Sequence, residues 1–170
     1  LSGTAAGNYT LAKEGPQTST TVTIRPKYVT VSGITAVNKT YDGTTEATLD
    51  YTNALIDNNH CTVWLAVTAT GEFADKNVGD NKTVTISGLK LVGELAENYK
   101  LAESGQQRTA SASITAKEVG LIWTNTRLTY TGEAQKPTVT VTGVVEGDTC
   151  TVTVTGEQTH LGAHIATANS

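Results

Sequence analysis

The chain has 170 residues, a formal net charge of −4, 38% hydrophobic residues and 16% charged ones. Thr fills 33 positions and Val and Gly 16 each, with no Met and three Pro. This composition favours strands joined by tight turns, because β-branched side chains fit a pleated surface and lose χ1 freedom in a helix. The low charge and β-branched richness argue against intrinsic disorder, and a pI near 5.3 argues against nucleic acid or anionic lipid as the main partner. No apolar run reaches membrane-spanning length. No signal-peptide pattern opens the sequence, and Leu1-Ser2-Gly3 reads as mid-protein sequence, so a piece of something longer is expected.

Taken in chain order, the first clear strand is Tyr28-Val29-Thr30-Val31-Ser32, which alternates with a period of two. Cys61 to Ala69, Thr83 to Ser87 and Ala110 to Ile114 follow as further strands. Asp42-Gly43, Gly71, Asn77-Val78-Gly79-Asp80-Asn81 and Ser104-Gly105 break the chain between them. Residues 137–142 and 150–155 alternate Thr with Val around a Gly-rich turn, which predicts a hairpin of those two strands. No window of ten or more residues carries a helical period. Small β-sandwich modules are the expected architecture.

Internal repetition sets the organisation. Residues 1–27 lie over residues 91–117 without a gap, and 11 of the 27 positions are identical, among them Gly3/Gly93, Asn8/Asn98, Tyr9/Tyr99, Gln17/Gln107 and Ile24/Ile114. Tyr41-Asp42-Gly43 recurs as Tyr130-Thr131-Gly132, and Cys61-Thr62-Val63 as Cys150-Thr151-Val152. Three units are therefore predicted: residues 1–27 as the C-terminal strands of a preceding repeat, 28–117 as a complete repeat, and 118–170 as an incomplete third without the Asn-Tyr-containing tail.

Asn38-Lys39-Thr40-Tyr41-Asp42-Gly43-Thr44-Thr45, then Gly71-Glu72-Phe73-Ala74-Asp75-Lys76-Asn77-Val78-Gly79, then Glu97-Asn98-Tyr99-Lys100-Leu101 resemble the YDG repeat of large secreted bacterial adhesins. Tyr130-Thr131-Gly132 with the stretch from Gly156 to Ala168 is similar to the related MBG-type repeats, departing in Thr131 and in lacking the Phe-Ala-Asp-Lys segment. The resemblance implies an all-β chain of tandem small β-sandwich modules, Ig-like or β-grasp-like, elongated, in an extracellular stalk or adhesive array. It transfers no catalytic residues.

Each candidate chemistry has a plainer explanation. His160 and His164 stand four apart, a zinc-ligand spacing on a helix, but here they fall in strand and turn context with no adjacent ligand, and His60 stands apart from both. Cys61 and Cys150 occupy equivalent positions in successive units, which usually lie a full domain length apart, whereas a bridge needs Cα atoms within roughly 7 Å; a bridged pair is the alternative. Both are expected as free thiols packed like small hydrophobes. Asp42, Asp57, Asp75 and Asp80 read as turn residues, since no Asp-x-Asp-x-Asp spacing marks a calcium loop. Asn8, Asn38 and Asn81 fit a glycosylation pattern that a Thr-rich chain produces by chance. Trp64, Trp123 and Phe73 fit a core as well as a sugar-stacking surface, and the recurrence of Tyr9, Tyr41, Tyr99 and Tyr130 suggests packing. Lys39, Asn98 and Asp42 or Asp75 supply the residue types of a spontaneous isopeptide brace, and a solvated Lys is the commoner outcome.

No enzyme, cofactor or metal is therefore expected, and no ligand-binding residue can be assigned. The expected role is a structural spacer, stable without metal or disulfide, in an extracellular bacterial surface protein. The alternative is a module that binds mucin or other glycans. The partners expected are neighbouring repeats or identical chains, with residues 1–27 of one molecule filling the gap in the third repeat of the next, head to tail.

Overall fold

The computed structural model describes residues 1–15, 19–57 and 63–170. Strands and two single 3₁₀ turns, η1 (Ala6–Asn8) and η2 (Ala96–Asn98), make up its regular structure, with no α-helix among the described residues. The strands begin with β1 (Lys27–Val29), β2 (Val31–Ser32), β3 (Thr35–Ala36), β4 (Lys39–Thr40), β5 (Glu46–Ala47), β6 (Leu49–Asp50) and β7 (Leu55–Ile56). Next come β8 (Trp64–Leu65), β9 (Thr70–Phe73), β10 (Gly79–Ser87), β11 (Leu91–Val92), β12 (Tyr99–Leu101) and β13 (Thr109–Thr115). The C-terminal part adds β14 (Gly120–Thr124), β15 (Thr138–Thr142), β16 (Thr153–Thr155) and β17 (Thr167–Asn169).

Most strands are short because turn residues interrupt them. Gly33, at φ +79°, shows the constraint: a Cβ there would stand 2.0 Å from the Asn53 carbonyl oxygen. The expected strand over 28–32 is split at Thr30, and Gly33 ends its second part. Its first part, β1, runs parallel to β12, and β2 pairs antiparallel with β7. Of the strand expected from Cys61 to Ala69, β8 is seen; Cys61 itself and His60 lie outside the described residues. Asp80, expected in a turn, lies inside β10, where a register shift between Gly79 and Lys82 and a positive φ at Asn81 mark a bulge.

The main sheet has the order β4-β13-β10-β9-β5. β13 lies inside it, antiparallel to β10 through Thr83↔Ser111 and Val84↔Ala110, and parallel to β4 through Ile114↔Lys39. Its alternation turns Ala112 and Ile114 inward, where they close a core cluster with Phe73 and Val84. A second cluster gathers Val31, Ile34 and Ile86. Just before β13, two glutamines act as substitute strand backbone. Gln106 accepts from Val31 N at 2.9 Å and donates to Val29 O at 2.7 Å. Gln107 accepts from Ile34 N at 2.9 Å and donates to Ile34 O at 2.5 Å. Backbone groups between short strands are thereby satisfied instead of being buried without partners.

Two expectations are corrected. Residues 137–142 and 150–155 do not form a hairpin with each other: β15 pairs antiparallel with β14, and β16 with β17. Gly143 at φ +80° and Gly147 at φ +86° turn the chain between them, and Asp148 N bonds back to Val145 O, so the strand leaves its expected partner. Residues 1–27 were expected as strands, yet the described residues before Lys27 form none. They do repeat the local geometry of their counterpart. The η1 turn opens at Gly3 (φ +120°) and η2 at Gly93 (φ +124°), and each turn ends in an extended Tyr, Tyr9 and Tyr99. What differs is the partner. Residues 99–101 have β1 beside them; no strand of this chain pairs with 9–11 among the described residues.

Repeat-equivalent residues therefore have opposite surroundings: Ile114 is 1% exposed and Ile24 is 92% exposed. Ile114→Ala is expected to cost about 3 kcal/mol in denaturant unfolding, as core truncations do. Ile24→Ala is expected to cost less than about 0.5 kcal/mol. Equal losses at the two positions would contradict this packing.

Candidate contact site at the 41–43 turn

β4 enters the main sheet beside the end of β13, and Tyr41 N then donates to Thr115 O at 2.8 Å. That bond fixes where the next three residues leave the sheet. Asp42 turns the chain by accepting from Thr44 N and Thr44 Oγ1, each at 2.9 Å. Lys39 closes the same turn: its ammonium donates to Asp42 Oδ1 at 2.8 Å, Thr44 O at 2.9 Å and Thr44 Oγ1 at 3.0 Å. The Lys39 ammonium and the Thr44 amide hold the Asp42 carboxyl down to about 2. Gly43, at φ +81°, completes the turn, and a Cβ on it would reach to 2.8 Å from Val145 Cγ1.

Against this turn lies the 143–148 segment. Tyr41 Oη donates to Asp148 Oδ2 at 2.6 Å, across 107 residues of sequence. Lys76 joins from the loop between β9 and β10, with Nζ 3.6 Å from Asp148 Oδ1 and 6.0 Å from the centre of the Tyr41 ring. The Tyr41 hydroxyl, helped by the Lys76 charge, holds the Asp148 carboxyl below its ordinary range. The same hydrogen bond, together with burial, raises the Tyr41 phenol. Phenol, carboxylate and ammonium thus form a charge-assisted clamp between two turns. It includes no nucleophile activated by a base.

Residues 25–111 match the YDG domain, just over half of the chain. The chain belongs to the YDG domain family. No curated protein and no solved structure matches it. Within the YDG domain the three motif residues have separate tasks: Tyr41 reaches the Asp148 segment, Asp42 ties the turn to Lys39, and Gly43 lets Val145 approach.

The remaining candidates are scattered. Around the YDG domain, Asp75 Oδ1 accepts from Lys82 Nζ at 2.6 Å and from Asn77 N at 2.8 Å, and Asn38 Oδ1 accepts from Ser113 N at 2.7 Å. Lys39 directs its three N–H groups at Asp42 and Thr44, and Asn98 belongs to η2 near a different sheet. The brace imagined for these two is not assembled. Asp57 keeps a backbone bond to Thr30 O, and Asn8 ends η1. His164 Nε2 lies 2.9 Å from His160 O, and no cluster of three metal-ligating side chains exists among the described residues. Cys150 is a free thiol, but exposed rather than packed. Trp64 is exposed and Phe73 buried, while Trp123 is half-buried on β14. Packing does not account for all the recurring tyrosines: Tyr41 is half-buried against the core, while Tyr9 and Tyr130 are exposed.

The clamp has a pH signature. Asp148, with its folded pKa lowered, contributes above the ordinary carboxylate value of 3.8, and that contribution is lost as pH falls through the folded value. Tyr41, with its folded pKa raised, contributes below 10.0, and that contribution is lost as pH rises through the folded value. The Tyr41 ring, followed by NMR, is expected to ionise above 10.0 in the native chain. In Asp148→Asn it is expected to ionise at lower pH. An unchanged Tyr41 titration in that variant would refute the contact.

Proposed function

We propose that this YDG domain is a spacer in an extracellular bacterial surface protein of the adhesin kind. In this reading the chain is a run of tandem small β-sandwich modules, elongated, with 28–117 as the complete unit. Residues 1–27 are the closing strands of a preceding repeat, and 118–170 are an MBG-type repeat. The observation that carries the reading is the bond from Tyr41 to Asp148. Of the residues that give the motif its name, Tyr41 bonds to the neighbouring segment and Gly43 lets Val145 approach, while Asp42 holds the turn that presents them. A repeat whose signature grips its neighbour limits bending, as a stalk requires. The sequence repetition at near-constant spacing supports the same role, and the partners are neighbouring repeats.

A second reading, binding of mucin or other neutral glycans, has one observation in its favour. A groove of about 450 Å³ in the C-terminal part is lined by Trp123 and Tyr130 together with Asn125, Gln158 and His160, and by no Asp, Glu, Lys or Arg among the described residues. Rings and neutral hydrogen-bonding groups suit sugar faces. Binding on a glycan array that Trp123→Ala abolishes would favour it.

Residual dipolar couplings test the spacer directly. One alignment tensor is expected to fit residues 27–115 and 118–170 together, and two independent tensors are expected once Tyr41→Phe and Asp148→Asn are combined. Independent tensors in the unaltered chain would overturn the proposal.

A further inference from the structure

Of the 16 glycines in the chain, Gly43 is the one that follows an Asp, and none follows an Asn. An Asp-Gly step carries its own covalent chemistry. The backbone nitrogen of the glycine, with no Cβ beside it as a shield, attacks the aspartyl side-chain carbon Cγ. The Cγ–O bond breaks, the carboxyl oxygen leaves as water with the carboxyl and amide protons, and a succinimide ring forms. Water then reopens the ring at either carbonyl. Opening at Cγ restores Asp; opening at the main-chain carbonyl yields isoaspartate, in which the chain runs through Cβ and Cγ. One water leaves and one enters, so the mass is unchanged and no oxidant or co-reactant is consumed. The first step needs the acid form of the carboxyl, because the oxygen of a carboxylate is a poor leaving group.

The bonds of the 41–43 turn oppose this reaction. Burial does not: the Asp42 side chain is 50% exposed, so water reaches it. Its Oδ1 accepts from Lys39 Nζ at 2.8 Å and from Thr44 N and Thr44 Oγ1 at 2.9 Å each. These donors keep the carboxyl ionised, with its pKa down at about 2, and hold it over the amide of Thr44, beyond the nitrogen of Gly43. Lys39 is itself fixed. It stands in β4 beside Ile114 of β13, its side chain is 18% exposed, and its ammonium also donates to Thr44 O and lies 5.5 Å from the centre of the Phe73 ring. The C-terminal part supplies an internal comparison. Tyr130-Thr131-Gly132 makes the same turn, with Gly132 at φ +83° against +81° at Gly43. Thr131 Oγ1 accepts from Glu133 N at 3.3 Å, as Asp42 accepts from Thr44 N, and from Gln135 Nε2 at 2.7 Å. The turn built on a hydroxyl is closed by a neutral amide; the turn built on Asp-Gly is closed by a cation.

We infer that Asp42-Gly43 is a latent isomerisation site: the Lys39 ammonium keeps it from cyclising, and isoaspartate formed there releases the grip on the 143–148 segment. The release follows from the closeness of the contact. Isomerisation adds one carbon to the backbone between Tyr41 and Gly43. Tyr41 N stays tied to Thr115 O, so the extra length falls on Gly43, where even a Cβ would come to 2.8 Å from Val145 Cγ1. The displaced Gly43 pushes the 143–148 segment off, and the 2.6 Å bond from Tyr41 Oη to Asp148 Oδ2 is lost with it.

The test is to age the full chain at neutral pH, folded in one arm and unfolded in concentrated urea in the other. Peptide mapping with electron-transfer fragmentation locates isoaspartate, and a labelled methyl group transferred by an isoaspartyl methyltransferase counts it. Residue 42 is expected to isomerise at least about tenfold more slowly in the folded chain than in urea, in keeping with its lowered carboxyl. Lys39→Met keeps the aliphatic stem and removes the charge. Its residue 42 is expected to isomerise within about threefold of the unfolded rate, while the amides of Val84 and Ile114 keep their native hydrogen-exchange protection. Thr44→Val, at an exposed turn position, removes one donor and is expected to fall between the two rates. The isomerised fraction, separated by chromatography, is expected to ionise Tyr41 at lower pH than the fresh chain does. Asp42→Thr, which copies the C-terminal turn, is expected to keep the Tyr41 titration of the fresh chain through ageing. Equal rates in the folded and unfolded arms would overturn the inference. So would a folded Lys39→Met chain as slow as the unaltered one or, where that variant does not fold, a Thr44→Val chain as slow. An isomerised fraction in which Tyr41 titrates as before would refute the release. None of these results alters the dipolar couplings of the fresh chain, which test the spacer role.

Discussion

Strand β13 is the constraint on which the rest of the structure depends. It arrives late in the sequence, yet it lies between β10 and β4 and bonds to both. Its inward residues, Ala112 and Ile114, close the cluster formed by Phe73 and Val84. Immediately upstream, the Gln106 and Gln107 side chains complete the hydrogen bonding of Val29, Val31 and Ile34, which short strands alone leave open. An unpaired backbone group in that position would cost about 1–3 kcal/mol each. The first and last parts of the domain are therefore held together by polar side chains and by packing at once.

The contact site follows from the same strand. Thr115, at the end of β13, accepts from Tyr41 N and so sets the point where the 41–43 turn leaves the sheet. Lys39 and Asp42 shape that turn, and Tyr41 then reaches Asp148. Sheet order, turn and clamp form one chain of cause, from core packing to the grip on the neighbouring segment. Outside the YDG domain, Val22 and Ile24 before it and Leu161 and Ile165 in the C-terminal part are exposed.

Much of this was legible in the sequence. Alternating Thr and Val marked β10 and β15, and residues 110–114 were expected as a strand where β13 lies. The gapless match of 1–27 to 91–117 reappears as η1 copying η2, a turn that the strand expectation for 1–27 did not contain. The motif residues were visible as a motif, but their tasks were not. Asp148 sits in an ordinary Gly-rich turn, and no local pattern ties it to a tyrosine 107 residues away. The same turn misled the pairing, since Thr-Val alternation on both sides of 143–148 looks like a hairpin whichever sheet each strand joins. Recurring tyrosines suggested packing because recurrence reports a shared unit, and the surroundings of the unit differ: Tyr41 has Asp148 before it, and Tyr130 lies exposed. The glutamine brackets did leave a trace, the recurrence of Gln17 as Gln107, which pattern reading for apolar residues passes over.

Native-state hydrogen exchange tests the central dependence on β13 most directly. If β13 closes the YDG domain, the amides of Ala112 and Ile114 exchange only with global unfolding, together with Val84 on β10. The amides of Val22 and Ile24, their repeat equivalents, exchange at the rates of an open chain when the protein is dilute. Exchange of Ala112 and Ile114 through a local opening that leaves Val84 protected would contradict the account.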